Sequence, residues 1–493
     1  MKLMNSEHSD KFKMLFFLLA LLALAAILLL PVPPEIQTDN GVIALTQQGK
    51  AALAVLAMVV ILWITEAVPF PIAGLMGLVL LVMTKASALK PLVKDGFGNP
   101  IVLFFIGVLI FSAAIAETRL LKRLTTLLLY HLGHKPKAII LAFIAVGALL
   151  SGWITDMAVA AMLMPIAVSI LKDAKAEPQK SNFGKALLIS CAWGPLIGGV
   201  STPAGCGPNP LTMTFLKDLA GIDFSFVDWM LLGVPAALLM IPCAWIILIR
   251  VFPLEEINLT IAEEDFRKQR TELGPLQRSE VAVMAIFALT VFLWICGQWI
   301  SAWTGGAIDY LGIQFVAIAC ACLFFVPGIG IITWKKAEKQ ISWGGIVLIV
   351  TGLSIGMSIY KTGAAAWVAQ MAFSKLGLLH PVLIIFAVVF GVSIMKVMFS
   401  SNTVTGIIMV PLLIALANNI GLDPVLIAIP AGITASLAFI LVTSTPTNVI
   451  PYSAGYFTIK DMAKAGLFMT LASSVCVTLS IAVMGRLFGI VNW

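Results

Sequence analysis

Apolar stretches of about 20 residues, each long enough to cross a hydrocarbon core, recur along the whole chain. Met14 to Val32, Val281 to Ile308 and Ile313 to Trp334, for example, carry no charged side chain. The pattern predicts crossings over 14–32, 51–69, 70–84, 98–116, 184–219, 226–249, 280–300, 312–333, 341–360, 423–457 and 464–490, with shorter paired segments over 138–172 and 379–418. Lipid offers no partner to a free N–H or C=O, so spanning backbone must be helical. The expected fold is therefore all-α: a polytopic membrane protein with eleven transmembrane helices and two re-entrant hairpins.

Composition agrees, since 60% of the 493 residues are apolar, 11% are charged and mean hydropathy is +1.04. A soluble domain carries about twice that share of charge. The first segment follows Lys2, Lys11 and Lys13 and contains Ala23-Leu24-Ala25, which invites a signal-peptide reading. Its length and the similar segments after it favour a retained span. The formal charge of +7 gathers in 119–137, 172–185, 250–279 and 335–340, which places these stretches and the N-terminus in the cytoplasm and the C-terminus outside; Lys85, Lys90 and Lys94 run against the bias. No nucleic-acid motif accompanies the charge. His131 and His134, beside Lys135 and Lys137, read as a membrane-surface face, and the sequon Asn258-Leu259-Thr260 shares a basic, cytoplasmic loop with Arg267, Lys268, Arg270 and Arg278. The seven cysteines, an odd number without CxxC spacing, read as small core residues.

The polar stretch 253–279 divides the chain into a tail and first helix (1–50), a first half (51–252) and a second half (280–493) that repeat each other. Trp153-Ile154-Thr155-Asp156-Met157 precedes Pro165, and Phe399-Ser400-Ser401-Asn402-Thr403 precedes Pro411. Farther on, Gly205-Cys206-Gly207-Pro208-Asn209 and Ser444-Thr445-Pro446-Thr447-Asn448 each interrupt a long apolar segment. An odd number of crossings separates the copies, so they lie inverted in the bilayer, an arrangement in which transporters build a midplane site from broken helices.

Ser401, Asn402 and Thr403 are costly in lipid and reasonable at a hairpin tip facing a wet cavity. They offer donors without positive charge, which suits a carboxylate that must be bound and released, and a helix beginning after each tip adds backbone N–H groups. Proline and glycine at 205–209 and 444–448 unwind the helix and expose carbonyls to a cation; a lone interruption would more often be a kink, but this one recurs beside a paired hairpin.

In these motifs the chain resembles the divalent-anion/sodium symporter family of dicarboxylate, citrate and sulfate carriers, from about residue 50 to the end. Each repeat there has a hairpin tipped by Ser-Asn-Thr and a Thr-Pro-Pro-Asn-like break. The second repeat matches with Ser401-Asn402-Thr403 and Thr445-Pro446-Thr447-Asn448; the first departs, with Thr155-Asp156-Met157 and Cys206-Gly207-Pro208-Asn209. The resemblance implies substrate contacts at Ser401, Asn402, Thr403, Thr445 and Pro446, faced by Thr155, Asp156 and Cys206. It implies sodium sites behind the triplets, at Ser151, Thr155, Asp156 and Gly205 and at Val397, Ser400, Asn402 and Ser444, where Val397 offers no hydroxyl. It also implies a homodimeric elevator.

Asp156 would repel a dianion unless it is protonated, paired or holding a cation. Lys396 either neutralises Asp156 or the substrate, standing where sodium stands in symporters, or snorkels, with Asp156 capping the helix that follows. The reading is a secondary transporter of di- or tricarboxylates, an exchanger rather than a sodium-coupled symporter, with sodium the one candidate ion and lipid and substrate the other partners. Sequence does not separate a carrier from an anion channel. An intramembrane enzyme needs an aspartate pair or a Ser-His arrangement, and only Asp156 stands out at membrane depth. Gly352-Leu353-Ser354-Ile355-Gly356 spells a nucleophile elbow, yet it lies in an apolar helical run without a histidine and reads as helix packing.

Overall fold

The computed structural model describes residues 2–38, 41–120, 122–123, 135–255, 273–308 and 311–491. His131, His134, the sequon at 258–260 and most of the linker lie outside them. Helix α1 (Lys2–Leu29) packs along α2 (Gln47–Thr65), with a short antiparallel pair, β1 (Ile36–Thr38) and β2 (Gly41–Ile43), between them. Buried Lys50 donates from Nζ to the carbonyls of Leu28 (3.0 Å) and Leu30 (2.6 Å), partnering groups that the end of α1 leaves free. Then come α3 (Phe70–Met83), α4 (Leu89–Asp95), α5 (Ile101–Ala116), α6 (Pro136–Ser151), α7 (Asp156–Asp173), α8 (Asn182–Gly199), α9 (Pro208–Ala220) and α10 (Phe226–Val251). The second half contains α11 (Arg278–Trp303), α12 (Ile313–Leu323), α13 (Trp334–Gln340), α14 (Trp343–Lys361), α15 (Ala364–Phe373), α16 (Pro381–Met395), α17 (Asn402–Ile420), α18 (Pro424–Ala435), α19 (Pro446–Tyr452) and α20 (Ile459–Leu487).

Among the described residues, eight helices are long and apolar enough to cross a membrane. Several of the eleven expected crossings are shorter or built in two pieces. The clearest departure is 312–333, of which only Ile313–Leu323 is helical. Pro327 cannot donate to a helix, and Gly328 (φ 94°) and Gly330 (φ 33°) turn the chain so that Ile331 N–H reaches back to the Phe324 carbonyl at 3.0 Å. Eleven helical residues cover about 16 Å, roughly half the hydrocarbon thickness. Two of the other expected crossings, 184–219 and 423–457, are the pairs α8/α9 and α18/α19.

The order arm, arm, half-helix, half-helix, long helix occurs twice, as α6 to α10 and as α16 to α20. The two sets interlock: α9 packs on α17 and α18, α19 packs on α7 and α8, and the long helices α10 and α20 pack on each other. Around this unit stand α2, α3, α5, α11, α12 and α14. Helix α14 meets α17 through Gly352 and Gly356, where an added Cβ would collide with Ile407 and come within 3.2 Å of Pro411. Ser354 donates to the Leu92 carbonyl at 2.6 Å, so this Gly-Leu-Ser-Ile-Gly run is a packing surface.

Ionic contacts fasten the loops. Glu255 accepts from the N–H groups of Asn182 and Phe183 and from Ser181 Oγ; partial burial works against the charge, but these hydrogen bonds at the start of α8 hold its carboxyl below the usual range. Fully buried Glu280, in the first turn of α11, caps Gln277 N–H at 2.8 Å and pairs with Arg123 at 3.2 Å. Arg123 also donates to the carbonyls of Leu273, Gly274 and Pro275. Removing one partner of a buried pair costs about 3–5 kcal/mol. Glu280→Ala and Glu280→Gln both remove the charge and should melt well below wild type, Glu280→Ala lower still because Glu280→Gln keeps the cap acceptor; wild-type melting of Glu280→Gln in the solubilised protein would show that the charge pair contributes nothing.

Candidate substrate-binding site

The two hairpin tips differ in how they begin their second arms. Arm α6 ends at Ser151, and Gly152 to Thr155 turn the chain before Asp156 opens α7. Arm α16 ends at Met395, a 3-10 turn follows over Lys396–Met398, and Asn402 opens α17. Ser401 caps α17 by accepting from Val404 N–H at 3.4 Å, whereas Thr155 makes no side-chain cap. In the first turn of α7, Asp156 accepts instead from Met157 N–H at 2.8 Å.

Each half-helix pair is stitched across its break by an asparagine. Asn209 donates to the carbonyls of Gly199 and Thr202, both at 2.7 Å, ten and seven residues earlier. Asn448 donates to Ala438 at 2.7 Å and Leu441 at 3.0 Å, again ten and seven residues earlier. Both side chains are fully buried, and each amide satisfies two carbonyls that the unwound backbone would leave bare. Gly205 allows the first loop to close, because a Cβ there would lie 2.6 Å from the Gly199 carbonyl and 2.8 Å from that of Ser151.

The tips meet at one point. Asn402 donates from Nδ2 to Asp156 Oδ2 at 3.2 Å and lies 3.6 Å from Cys206 Sγ, while Thr447 also hydrogen-bonds the Asp156 carboxylate. The first residues of α7 and α17 thus touch across the repeats. Thr403 faces Gly207, where a Cβ would come within 2.7 Å of Thr403 Oγ1. Thr445 is buried and donates to Thr447 Oγ1 at 3.4 Å, and Pro446 is exposed.

Lys396 corrects an expectation. It neither snorkels nor pairs with Asp156: it is 1% exposed, and its ammonium donates to the Ser444 carbonyl at 2.7 Å and the Phe399 carbonyl at 3.5 Å. The two carbonyls sit at the break and at the tip of the second repeat, so they solvate the charge where it lies. Ser444 is the counterpart of Gly205. The ammonium therefore occupies, in the second repeat, the ground where the first repeat presents bare oxygens. Those oxygens include Ser151 Oγ and Asn209 Oδ1, both buried without a hydrogen-bond partner, grouped near the Gly199 and Gly205 carbonyls. Hydroxyl, amide and carbonyl oxygens of this kind suit a hard cation. In the second repeat Ser400 Oγ, Asn402 Oδ1 and Asn448 Oδ1 are also unpartnered, while Val397 adds only an apolar side chain.

The sequence pattern of the sodium:sulfate symporter transmembrane region matches residues 11–491, nearly the entire chain. The chain belongs to the sodium:sulfate symporter family. As a member of that family it is a multi-pass membrane transporter and not an enzyme. It is similar to the sodium-dependent dicarboxylate transporter SdcS of Staphylococcus saprophyticus, at 28% identity with 90% of this chain and 86% of that protein covered. SdcS of Staphylococcus aureus strain USA300 is also 28% identical, with 88% and 85% covered. The fold resembles the YdaH transporter of Alcanivorax borkumensis (TM-score 0.55, 15% identity, 98% of each chain covered) and MtrF of Neisseria gonorrhoeae (TM-score 0.57, 14% identity, 96% and 94% covered).

Thr447 and Gly207 lie inside the two break motifs of this symporter-family chain but carry no role that the motifs assign, and Thr202 lies outside them. Thr202 donates to the Gly152 carbonyl and so ties the first break to the first tip. The repeat offset could have pointed to Thr447, which stands opposite Pro208. Nothing local marks Thr202. If the two asparagine stitches are equivalent, Asn209→Ala and Asn448→Ala should each cost about 1–3 kcal/mol of stability, since each leaves two buried carbonyls unpartnered. Thermal melts of the two solubilised variants would test this, and a loss confined to one position would end the equivalence.

Proposed function

We propose that this protein moves di- or tricarboxylate anions across the cytoplasmic membrane by an elevator-type alternating-access mechanism, as a homodimer, with dicarboxylate exchange as its transport mode. The observation that carries the exchange reading is the Lys396 ammonium on the Ser444 carbonyl. A fixed charge there does what a bound cation would do: it offsets the substrate's negative charge in a low-dielectric site. In this reading Asp156 is protonated beside the bound anion: the ammonium and the anion then offset each other and the loaded unit crosses, whereas the empty unit keeps the unbalanced ammonium and crosses slowly. Net transport is then slow and exchange fast.

Substrate class rests on the donors at the second tip and break, Ser401, Thr403 and Thr445, and on the similarity to carriers named for dicarboxylates. Inverted orientation of the repeats, with the N-terminus inside and the C-terminus outside, is supported by the interlocked half-helices and by the basic loops. Unequal burial of the two hairpins supports alternating access. Ala161, Pro165 and Ser169 form an exposed stripe on α7, whereas their counterparts Ile407, Pro411 and Ala415 on α17 are buried, the first two against α14. The site in this state opens on the side of the first hairpin, the cytoplasmic side in the proposed orientation.

A sodium-coupled symporter is the second reading, favoured by the unpartnered oxygens of Ser151 and Asn209 beside Asp156 and by the sodium dependence named for SdcS. Proteoliposomes distinguish the two. Robust uptake driven by an inward sodium gradient without internal dicarboxylate would sink the exchange reading, and Lys396→Met would then transport normally. Under exchange, Lys396→Met should lose counterflow while remaining folded. Either mode requires the second tip: Ser401→Ala, Asn402→Ala and Thr403→Ala should each weaken carboxylate binding about tenfold, the worth of a hydrogen bond to a charged group. Unchanged affinity in all three folded variants would remove this hairpin from the site.

A further inference from the structure

The mobile unit meets helix α11 through aromatic rings. Trp153, at the first hairpin tip, stacks on Phe226 (centroids 6.5 Å apart, planes at 23°) and stands edge-on to Phe287 of α11 (5.4 Å, 86°); Phe226 in turn stacks on Trp294 of α11 (4.8 Å, 23°). Two cavities flank these rings and share Ile295 in their walls. One, of 450 Å³, is a broadly open apolar recess lined by Trp153, Phe287, Val291 and Phe292. The other, of 460 Å³, lies farther along α11 toward its C-terminal end and is polar, lined among others by Lys217, Asp218, Gln298, Ser301 and Gln314. From Phe287 to Ser301 the helix thus carries its neighbour from an apolar crevice at membrane depth to a polar mouth at the membrane face.

An open apolar recess at membrane depth is a place for an acyl chain, since it offers water too few partners. An amphiphile matches both parts. The mouth also selects the headgroup. Lys217 is already paired with Asp223 at 3.2 Å, whereas exposed Asp218 accepts from the neutral Asn99 amide, at 3.0 Å, and has no direct ion pair among the described residues, Lys217 and Lys361 acting on it only at longer range. A primary ammonium completes the pair and donates hydrogen bonds; a trimethylated one cannot donate. We propose that this crevice is a phospholipid site, with an acyl chain against Trp153 and Val291 and an ethanolamine headgroup on Asp218, wedged between the mobile unit and the scaffold. It belongs to the leaflet on the face where α11 ends, and it does not depend on whether the carrier exchanges or symports.

Lipid retention measures this directly. Protein extracted from membranes containing ethanolamine, glycerol and choline phospholipids is delipidated in detergent and weighed intact by native mass spectrometry. The wild type should keep one phosphatidylethanolamine per protomer in preference to phosphatidylcholine. Asp218→Asn should reduce that occupancy about fivefold, the upper end for a partly exposed ion pair, and Val291→Trp, which fills the chain crevice, should abolish it. Equal retention of both lipids by the wild type, or unchanged phosphatidylethanolamine in either variant, would overturn the proposal.

Discussion

Everything at the centre of this protein depends on how broken backbone survives away from water. An unwound stretch inside a bilayer exposes carbonyls and N–H groups that lipid cannot satisfy. Here one side chain per repeat answers the problem: Asn209 and Asn448 each reach back seven and ten residues and close the break with two hydrogen bonds. With the break closed, the remaining groups of each loop are free to face a ligand. Glycines let the parts approach, as where Gly198 abuts the Ala148 backbone and Gly466 that of Phe439. Stability and the capacity to bind are thereby met by the same few residues.

Equal architecture carries unequal chemistry. Across the pseudo-symmetry Asp156 stands for Asn402, Met157 for Thr403 and Cys206 for Thr445, so the second repeat holds most of the hydroxyl donors and the first holds a carboxylate. Asn402 links the halves by donating to Asp156, which leaves the carboxylate held by neutral donors. Lys396 is solvated by its own repeat's carbonyls instead. A positive charge and a negative charge are therefore kept in one small volume without neutralising each other directly.

The surroundings hold this core unevenly. Contacts between the interlocked unit and α14 are close and glycine-mediated, whereas those with α11 are aromatic rings, Phe226 stacked on Trp294 and Trp153 edge-on to Phe287, beside cavities. Close packing resists sliding, and flat aromatic faces with free volume alongside do not. The unit is held firmly on one side and loosely on the other.

The sequence by itself determined that the chain lives in lipid, that it folds as helices, and that its halves repeat, because apolar run length, the partnering rule for backbone and the recurring polar interruptions are all local properties. It also located the hairpin tips and breaks, since Ser-Asn-Thr and Gly-Pro-Asn stretches have no cheap place in a membrane helix. It did not decide where 312–333 stops being helical, because apolar run length does not register the break at Pro327-Gly328. Only the tertiary structure decided the partners: Lys396 on the Ser444 carbonyl and not on Asp156, Thr202 on Gly152, and Cys243 lying 3.7 Å from Cys476 across two long helices. Such contacts join residues 48, 50 and 233 positions apart, and their geometry follows from how two repeats interlock, which no single stretch of sequence encodes.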